Sequence, residues 1–382
     1  MGILKKMGAL FLSVILMVNM TACSDTSWAI KTENTSVPIG VYIYYMSEAY
    51  GKAYNKVGEA SSSILEKTID DKSVNDYVKD EAMESCKNLI STENMFDEMG
   101  LSLSDEDKEV AKSTTDAYWK SYGSIYEKMG IAKTSFDRAY TMYNLKKSKI
   151  MDAKYGDEGT DKLSDDEVNT YFTEHYTNYS YFKKDTSELE LNDNVTTREL
   201  ESDEEADALM KEIESNAESS QAEDESGESV TEKMDAISKD FEEYANRIND
   251  GASYDDIFNE YKDKYSASDS DNVLTTENLE ETNKNSLPED VLNGLKELEN
   301  NKSAGYNSSE GGFYLVYKHD INNNLSFLDD EENRTQVENE LSSEKFDNLI
   351  KDMSANLVID VNQSALNKYQ PSIIEQSRNK SK

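Results

Sequence analysis

Apolar residues recur every three or four positions over much of this chain. That spacing gathers apolar side chains on one face of a helix and predicts amphipathic α-helices. The first half of the chain carries such segments at residues 41–57, 73–98, 104–128, 135–155 and 164–175. Two of them begin with a serine followed three residues later by an acidic residue, Ser104 with Asp107 and Ser164 with Glu167. This capping box satisfies free backbone donors and marks a helix start.

The second half adds helical patterns and a few short strands. Helices are predicted at residues 234–248, 254–265, 287–298 and 329–356, and strands at 28–31, 179–182 and 312–318. The strands are rich in aromatic and aliphatic residues and are flanked by turn residues. The pattern therefore predicts a mainly α fold with a small α+β domain.

One segment lacks this periodicity. Residues 188–233 are acidic, rich in serine and free of aromatic residues. Such a segment buries too little apolar surface to offset the entropy lost on ordering, so it is predicted to be a flexible insertion. Residues 362–382 are predicted to be a polar tail.

The chain of 382 residues has 78 acidic and 40 basic residues and a formal net charge of −38. That charge repels nucleic acids and anionic lipid surfaces, so neither is expected as a partner. It favours solubility and could favour basic partners, although a charge-rich surface is the simpler interpretation.

The N-terminus has the anatomy of an export signal. Lys5 and Lys6 precede an apolar run at 7–20, which is too short to span a bilayer, and Ala22 precedes Cys23. This end resembles the lipobox of bacterial lipoproteins, with Met20 where leucine is usual. The resemblance implies cleavage of residues 1–22, a lipid anchor on Cys23 and a place on the extracytoplasmic face of the cell membrane, with a Gram-positive type of envelope. Ordinary signal cleavage with an incidental cysteine is the alternative. Cys86 lies in a helical pattern and is expected to be buried.

Several segments occur in an order known from one family. They are 38–42, 163–172, 251–266, 287–298 and 312–316. In this order, behind a lipobox, they resemble the PrsA family of extracytoplasmic foldase lipoproteins, which is similar to SurA chaperones. The resemblance implies a helical chaperone domain made of 23–176 and 323–361, with a parvulin-like prolyl isomerase domain inserted at 177–322.

The parvulin histidines have no counterpart at the matching positions. The first strand region contains Tyr181, the last strand carries Tyr314 at the histidine position, and the glycine-rich loop is replaced by a segment with Asp271 and Leu274. These four residues are candidates for a vestigial groove. The resemblance then implies weak or absent isomerase activity. His175 and His319 fall outside the family's catalytic positions and are expected at the surface.

Aromatic residues are concentrated in the first domain. A chaperone needs apolar side chains that contact many different clients, and the candidates are Tyr42, Tyr45, Tyr118, Trp119 and Tyr122. For most aromatic residues here the helix-bundle core is the simpler interpretation. The run from Tyr42 to Tyr45 is nevertheless not expected to face one core entirely, so some of it is expected at a surface.

The leading hypothesis is a membrane-tethered chaperone or foldase whose partners are unfolded or newly exported polypeptides. An active isomerase using Tyr181, Tyr314 and Asp271 is the alternative. A solute-binding lipoprotein is disfavoured because strands and helices do not alternate. The sequence has no phosphate loop, zinc spacing or serine elbow, so no cofactor or metal is expected. A homodimer is left open.

Overall fold

The computed structural model describes residues 27–58, 63–186, 230–280, 287–308, 310 and 312–379. The predicted signal, Cys23 and nearly all of the predicted insertion lie outside these residues. The chain divides into two units. Unit 1 combines Met1–Lys162 with Ser342–Lys382, and unit 2 is Leu163–Leu341.

Unit 1 is mainly helical with two small antiparallel sheets. Its elements are β1 (Trp28–Lys31), β2 (Ser36–Pro38), α1 (Ile39–Val57), β3 (Thr68–Ile69), β4 (Lys72–Ser73), α2 (Val74–Glu98), α3 (Asp105–Met129), α4 (Lys133–Phe136), a π-helical segment (Asp137–Met142) and α5 (Tyr143–Tyr155). Serine caps begin α2 and α3, and the predicted capping box of Ser104 and Asp107 is confirmed.

Unit 2 contains a four-stranded antiparallel sheet with helices on both faces. Its elements are α6 (Asp165–His175), β5 (Tyr176–Asp185), α7 (Val230–Asn249), α8 (Tyr254–Tyr265), β6 (Val273–Asn278), α9 (Glu289–Glu297), β7 (Lys302–Ser308) and β8 (Gly312–Lys318). The strand order is β6-β5-β8-β7. Helix α10 (Glu331–Ala355) begins in unit 2 and ends in unit 1, which continues with β9 (Asp360–Val361), α11 (Gln363–Leu366) and α12 (Ser372–Asn379). The predicted mainly α fold with small sheets is confirmed.

Helix α1 is buried on all sides in unit 1. Every residue from Ile39 to Ser47 is buried. Helices α2, α4 and α12, the π-helical segment and β1 surround it. A helix enclosed in this way can be apolar around its whole circumference. The expectation that the run from Tyr42 to Tyr45 reaches a surface is therefore wrong. The predicted burial of Cys86 on α2 is confirmed, and that burial raises the pKa of its thiol.

The C-terminal segment of unit 1 is packed and is not the predicted polar tail. Strand β9 pairs with β1, and the chain then forms α11 and α12. Leu366 and Ile374 belong to the same core as α1. Glu375 accepts hydrogen bonds from Tyr50 Oη (3.1 Å) and from the backbone nitrogen of Ile64 (3.1 Å). The few apolar side chains of this segment are enough to complete the core.

The boundaries of unit 2 differ from the predicted ones at 176/177 and 322/323. Helix α6 and the 3-10 segment Ile321–Asp329 belong to unit 2 because their side chains pack there. The rings of Phe172 and Phe327 stack with their centroids 5.3 Å apart. Gln336 on α10 donates a hydrogen bond to Tyr176 Oη at 3.1 Å. Aromatic packing therefore extends unit 2 on both sides of the predicted domain.

Within the described residues, no helix has both the length and the apolar character needed to cross a bilayer.

Replacing Ile374 by alanine should lower the free energy of unfolding by about 2–5 kcal/mol, because it removes a fully buried side chain and leaves a cavity. Lys368→Ala, at an exposed position of the same segment, is the control and should change stability by less than about 0.5 kcal/mol. Urea denaturation followed by circular dichroism measures both. Equal stability of the two variants would show that α12 is not part of the core.

Candidate functional site

Helix α3 presents aromatic rings to solvent. Tyr118 and Tyr122, one helical turn apart, are 39% and 50% exposed. The centroid of the Tyr118 ring lies 6.4 Å from that of Tyr122 and 5.1 Å from that of Tyr140. Tyr140 Oη donates a hydrogen bond to Tyr118 Oη at 3.0 Å. The name α3 aromatic surface is used below for Tyr118, Trp119, Tyr122, Tyr126 and Tyr140.

A buried ring supports this surface from beneath. Phe136 is fully buried, and its ring stacks with Tyr126 and Tyr140, with both centroid distances at 5.3 Å. Trp119 lies over Gly123, where an added Cβ would come within 2.8 Å of the indole. Glycine at this position therefore lets the indole lie flat on the helix, and the exposed rings have a rigid base.

The hydroxyl groups of Tyr126 and Tyr140 stay neutral at physiological pH. The hydrogen bond to Tyr118, together with burial, raises the pKa of Tyr140 to about 12. Burial is the main cause that raises the pKa of Tyr126. The α3 aromatic surface offers both apolar ring faces and hydroxyl groups to a bound molecule.

The five predicted client-binding residues divide into two groups. Tyr118, Trp119 and Tyr122 come together on the α3 aromatic surface. Tyr42 and Tyr45 are buried in the core around α1, and Tyr45 Oη donates a hydrogen bond to the carbonyl of Ala139 at 3.0 Å. Tyr42 and Tyr45 are therefore no longer candidates for client contact, because both are core residues.

Two members of the surface were not among those five. Tyr126 continues the four-residue spacing of Tyr118 and Tyr122 on α3, so the helical period alone could have indicated it. Tyr140 belongs to the π-helical segment, and its place beside Tyr118 follows from tertiary packing.

In unit 2, Tyr181 and Tyr314 lie together on neighbouring strands. Their ring centroids are 6.4 Å apart, and each residue is only 8% exposed. They belong to a hydrophobic cluster with Tyr179, Val316 and Leu295, which lies between the sheet and α9. Burial raises the pKa of Tyr314, so its phenol stays protonated.

Asp271 and Leu274 are separated from that tyrosine pair. Leu274 pairs across the strands with Ser180, the neighbour of Tyr181, and side chains alternate between the faces of a sheet. Leu274, which is 66% exposed, therefore lies on the opposite face from Tyr181. Asp271 precedes β6 in a 3-10 turn and accepts a hydrogen bond from the backbone nitrogen of Ser268 at 2.7 Å. The four candidates of the vestigial groove do not form one site.

Neither histidine is the simple surface residue that was expected. The ring of His175 stacks on Tyr171 with a centroid distance of 4.1 Å. His319 Nε2 and Ser180 Oγ are hydrogen-bonded at 2.8 Å, and the imidazole meets the Tyr317 ring edge-on. Burial lowers the pKa of His319, although Asp255 acts in the opposite direction.

Among the described residues, no three histidine, cysteine, aspartate or glutamate side chains are grouped closely enough to hold a metal ion.

No protein-family model matches this chain, and no curated protein matches it. Solved structures of the foldase PrsA are similar to it at 12% sequence identity. They are PrsA from Lactococcus lactis (TM-score 0.28, covering 92% of this chain and 99% of that one), from Streptococcus pneumoniae (0.27, 90% and 99%) and from Bacillus subtilis (0.22, 94% and 94%). The predicted resemblance to PrsA foldases is confirmed, while TM-scores this low do not establish a common fold.

Stability should depend on pH through His319. Its folded-state pKa is lowered, so the unfolded chain takes up the proton first as pH falls below about 6.5, and the free energy of unfolding decreases. The decrease between about pH 7 and about pH 5.5 should be smaller in His319→Gln than in the wild type. His175→Gln, which keeps His319, is the control, and urea denaturation at each pH is the measurement. Parallel pH profiles for wild type and His319→Gln would contradict the effect.

Proposed function

We propose that this protein is a chaperone or foldase that binds unfolded, newly exported polypeptides and is tethered outside the cell membrane through a lipid on Cys23. The observation that carries the proposal is the α3 aromatic surface. Exposed aromatic rings that pack on a buried phenylalanine can contact apolar segments of many sequences.

Two rings of the α3 aromatic surface are partly exposed to water. Tyr118 and Tyr122 keep 39% and 50% of their surface in water although their neighbours are packed. Tyrosine combines a large apolar ring with a polar hydroxyl and loses little entropy on binding, so it suits adaptable recognition. Clients of differing sequence would bind with modest affinity, as repeated capture and release require.

The net charge of −38 supports the same function. Like charges keep copies of the protein apart, and a complex that carries this charge stays soluble although its client is apolar. Basic segments of a client would gain a favourable long-range attraction.

In this proposal the protein catalyses proline isomerisation weakly or not at all. The barrier is about 18–20 kcal/mol and must be lowered by polar groups aimed at a twisted amide. Tyr314 offers a protonated phenol inside a buried cluster that also contains Tyr181, and Leu274 lies on the opposite face of the sheet. Asp271 lies outside the strands, in a 3-10 turn. This geometry gives the alternative of an active isomerase little support.

The aromatic surface can be tested by replacing both exposed tyrosines. Tyr118→Ser/Tyr122→Ser should raise the concentration needed for half-suppression of aggregation about tenfold, because two aromatic contacts are lost. The assay follows light scattering of a reporter protein diluted from guanidinium chloride, with and without the mature chain. Leu274→Ser is the control, since it removes an apolar side chain of unit 2 that is more exposed than either tyrosine.

If the wild type leaves aggregation unchanged, the chaperone function is refuted. If Tyr118→Ser/Tyr122→Ser suppresses aggregation as well as Leu274→Ser does, the function stands but the surface has been assigned wrongly. Circular dichroism of each variant shows that the comparison is between folded proteins.

The tether is tested separately. Cys23→Ala should leave the protein folded but release it from the membrane fraction or leave its signal uncut, because two acyl chains provide the proposed anchor. Fractionation of cells after a detergent-free wash is the measurement, with Cys86→Ala as the control that keeps the lipidated cysteine. A correctly cleaved Cys23→Ala variant that remained on the membrane would exclude the lipid anchor.

A further inference from the structure

A cavity of about 300 Å³ opens beside the α3 aromatic surface. It lies in unit 1 between the first half of α3 and the segment formed by α4 and the π-helical turn. The lining is mostly apolar, with Ala111, Thr115 and Met142 among its residues. A cavity of this volume is at the lower end of the range for ligand sites, and it accommodates a single aliphatic or aromatic side chain.

Charged side chains form the rim of the cavity. Lys108, Lys112 and Lys133 contribute three ammonium groups, and Asp116 and Asp137 contribute two carboxylates. Asp116 forms ion pairs with both Lys112 and Lys133, and these contacts lower its pKa to about 2. Its carboxylate therefore remains ionised at any physiological pH.

The second carboxylate is also engaged. Asp137 accepts a hydrogen bond from the hydroxyl of Thr115 at 2.6 Å, and that hydroxyl also lies 2.8 Å from Thr141 Oγ1. Lys108 pairs at 3.2 Å with Asp105, which is fully exposed. Each ammonium group has three donors, so the rim keeps N–H donors that these ion pairs do not use. Those donors are complementary to a carboxylate.

The wall opposite α3 has an unusual backbone. Residues Asp137–Met142 form a π-helix, which is rare and occurs frequently at functional sites. Arg138 in this segment donates hydrogen bonds from Nε and Nη2 to the carboxylate of Glu93, at 2.9 and 2.7 Å. This bidentate pair fixes the π-helical wall to α2, so the cavity is held open by the fold.

The cavity and the α3 aromatic surface follow one another along the same helix. A rise of about 1.5 Å per residue places Tyr118 about 4.5 Å beyond Thr115 and Tyr122 about 16 Å beyond Ala111. An extended polypeptide advances about 3.3 Å per residue, so about five residues cover the longer distance. One client segment can therefore occupy both places.

We propose that this cavity binds one apolar side chain of a client polypeptide whose segment is extended. In that segment an acidic residue directly follows the apolar residue. An aromatic residue about five positions after the apolar residue reaches the α3 aromatic surface. The rim ammonium groups bind the acidic residue. This assignment rests on the proposed function and specifies the client sequence that unit 1 prefers.

Three fluorescein-labelled peptides test the assignment on the full mature chain. The first reads Ser-Leu-Asp-Ser-Ser-Ser-Phe-Ser, the second has serine in place of leucine, and the third has lysine in place of aspartate. Fluorescence anisotropy measures the dissociation constant of each. The first peptide should bind about tenfold more tightly than either of the other two, because only it fills the cavity and also satisfies the rim.

Two protein variants locate the effect. Ala111→Met fills the cavity and should weaken binding of the first peptide about tenfold, to the level of the serine peptide. Lys108→Gln removes an exposed rim charge without touching the core, and it should reduce the preference for aspartate over lysine. Lys128→Gln, at an exposed position near the end of the same helix, is the matched control and should leave both affinities unchanged.

Equal affinities of the wild type for all three peptides would overturn the assignment. So would an unchanged preference for aspartate in Lys108→Gln, which alters only an exposed side chain. The same protein preparations are then examined for suppression of aggregation. If suppression persists, only the cavity has been assigned wrongly, whereas its absence shows that the proposed function has failed as well.

Discussion

Burial of helix α1 on every side is the constraint on which unit 1 depends. Nine consecutive residues, from Ile39 to Ser47, are buried, and each must meet an apolar partner or a hydrogen-bond acceptor. Tyr45 reaches the carbonyl of Ala139 in the π-helical segment, and Tyr44 meets Phe136 edge-on. The segment that supports the α3 aromatic surface is thus positioned by the core helix, and the exposed rings derive their rigidity from the buried ones.

The C-terminal residues meet the same requirement from the other end of the chain. Ile374 and Leu366 cover apolar surface of the α1 core, and Arg378 lies over the ring of Tyr50. Because they follow the long helix α10 in sequence, the core of unit 1 closes only after unit 2 has been synthesised. Unit 2 has hydrophobic clusters of its own, separate from the core of unit 1.

The sheet of unit 2 separates two sets of residues by the alternation of its strands. Phe182, Phe313 and Leu315 pack against α7 and α8, whereas Tyr181, Tyr314 and Val316 pack near α9. Positions that look adjacent in the chain, such as Ser180 and Tyr181, therefore belong to different environments. The Ser180 and His319 pair lies on one side of the sheet and the tyrosine pair on the other, so the groups that could form hydrogen bonds are divided between the two faces.

Local patterns determined much of this protein before any tertiary contact is considered. Helix periodicity located α2, α3, α6 and α8 to within a residue or two, and capping boxes marked the starts of α3 and α6, because these signals reside in neighbouring side chains and backbone donors. Strand β8 was recognisable from its aromatic and aliphatic composition. Residue identity alone likewise showed that the strand positions which, by the resemblance, correspond to the parvulin histidines carry no histidine.

Only the tertiary structure decided which side of each element is buried. Tyr42 and Tyr118 are both tyrosines on helices, yet Tyr42 is 3% exposed and Tyr118 is 39% exposed. The polar composition of residues 362–382 did not indicate helix α12, in which Ile374 is fully buried. The position of this side chain in the core, and not the mean hydropathy of the segment, places the helix in unit 1. The cavity beside Thr115 exists because α3 and the π-helical turn approach each other, and such a distance between remote segments is set by the packing of the whole core, which no local pattern contains.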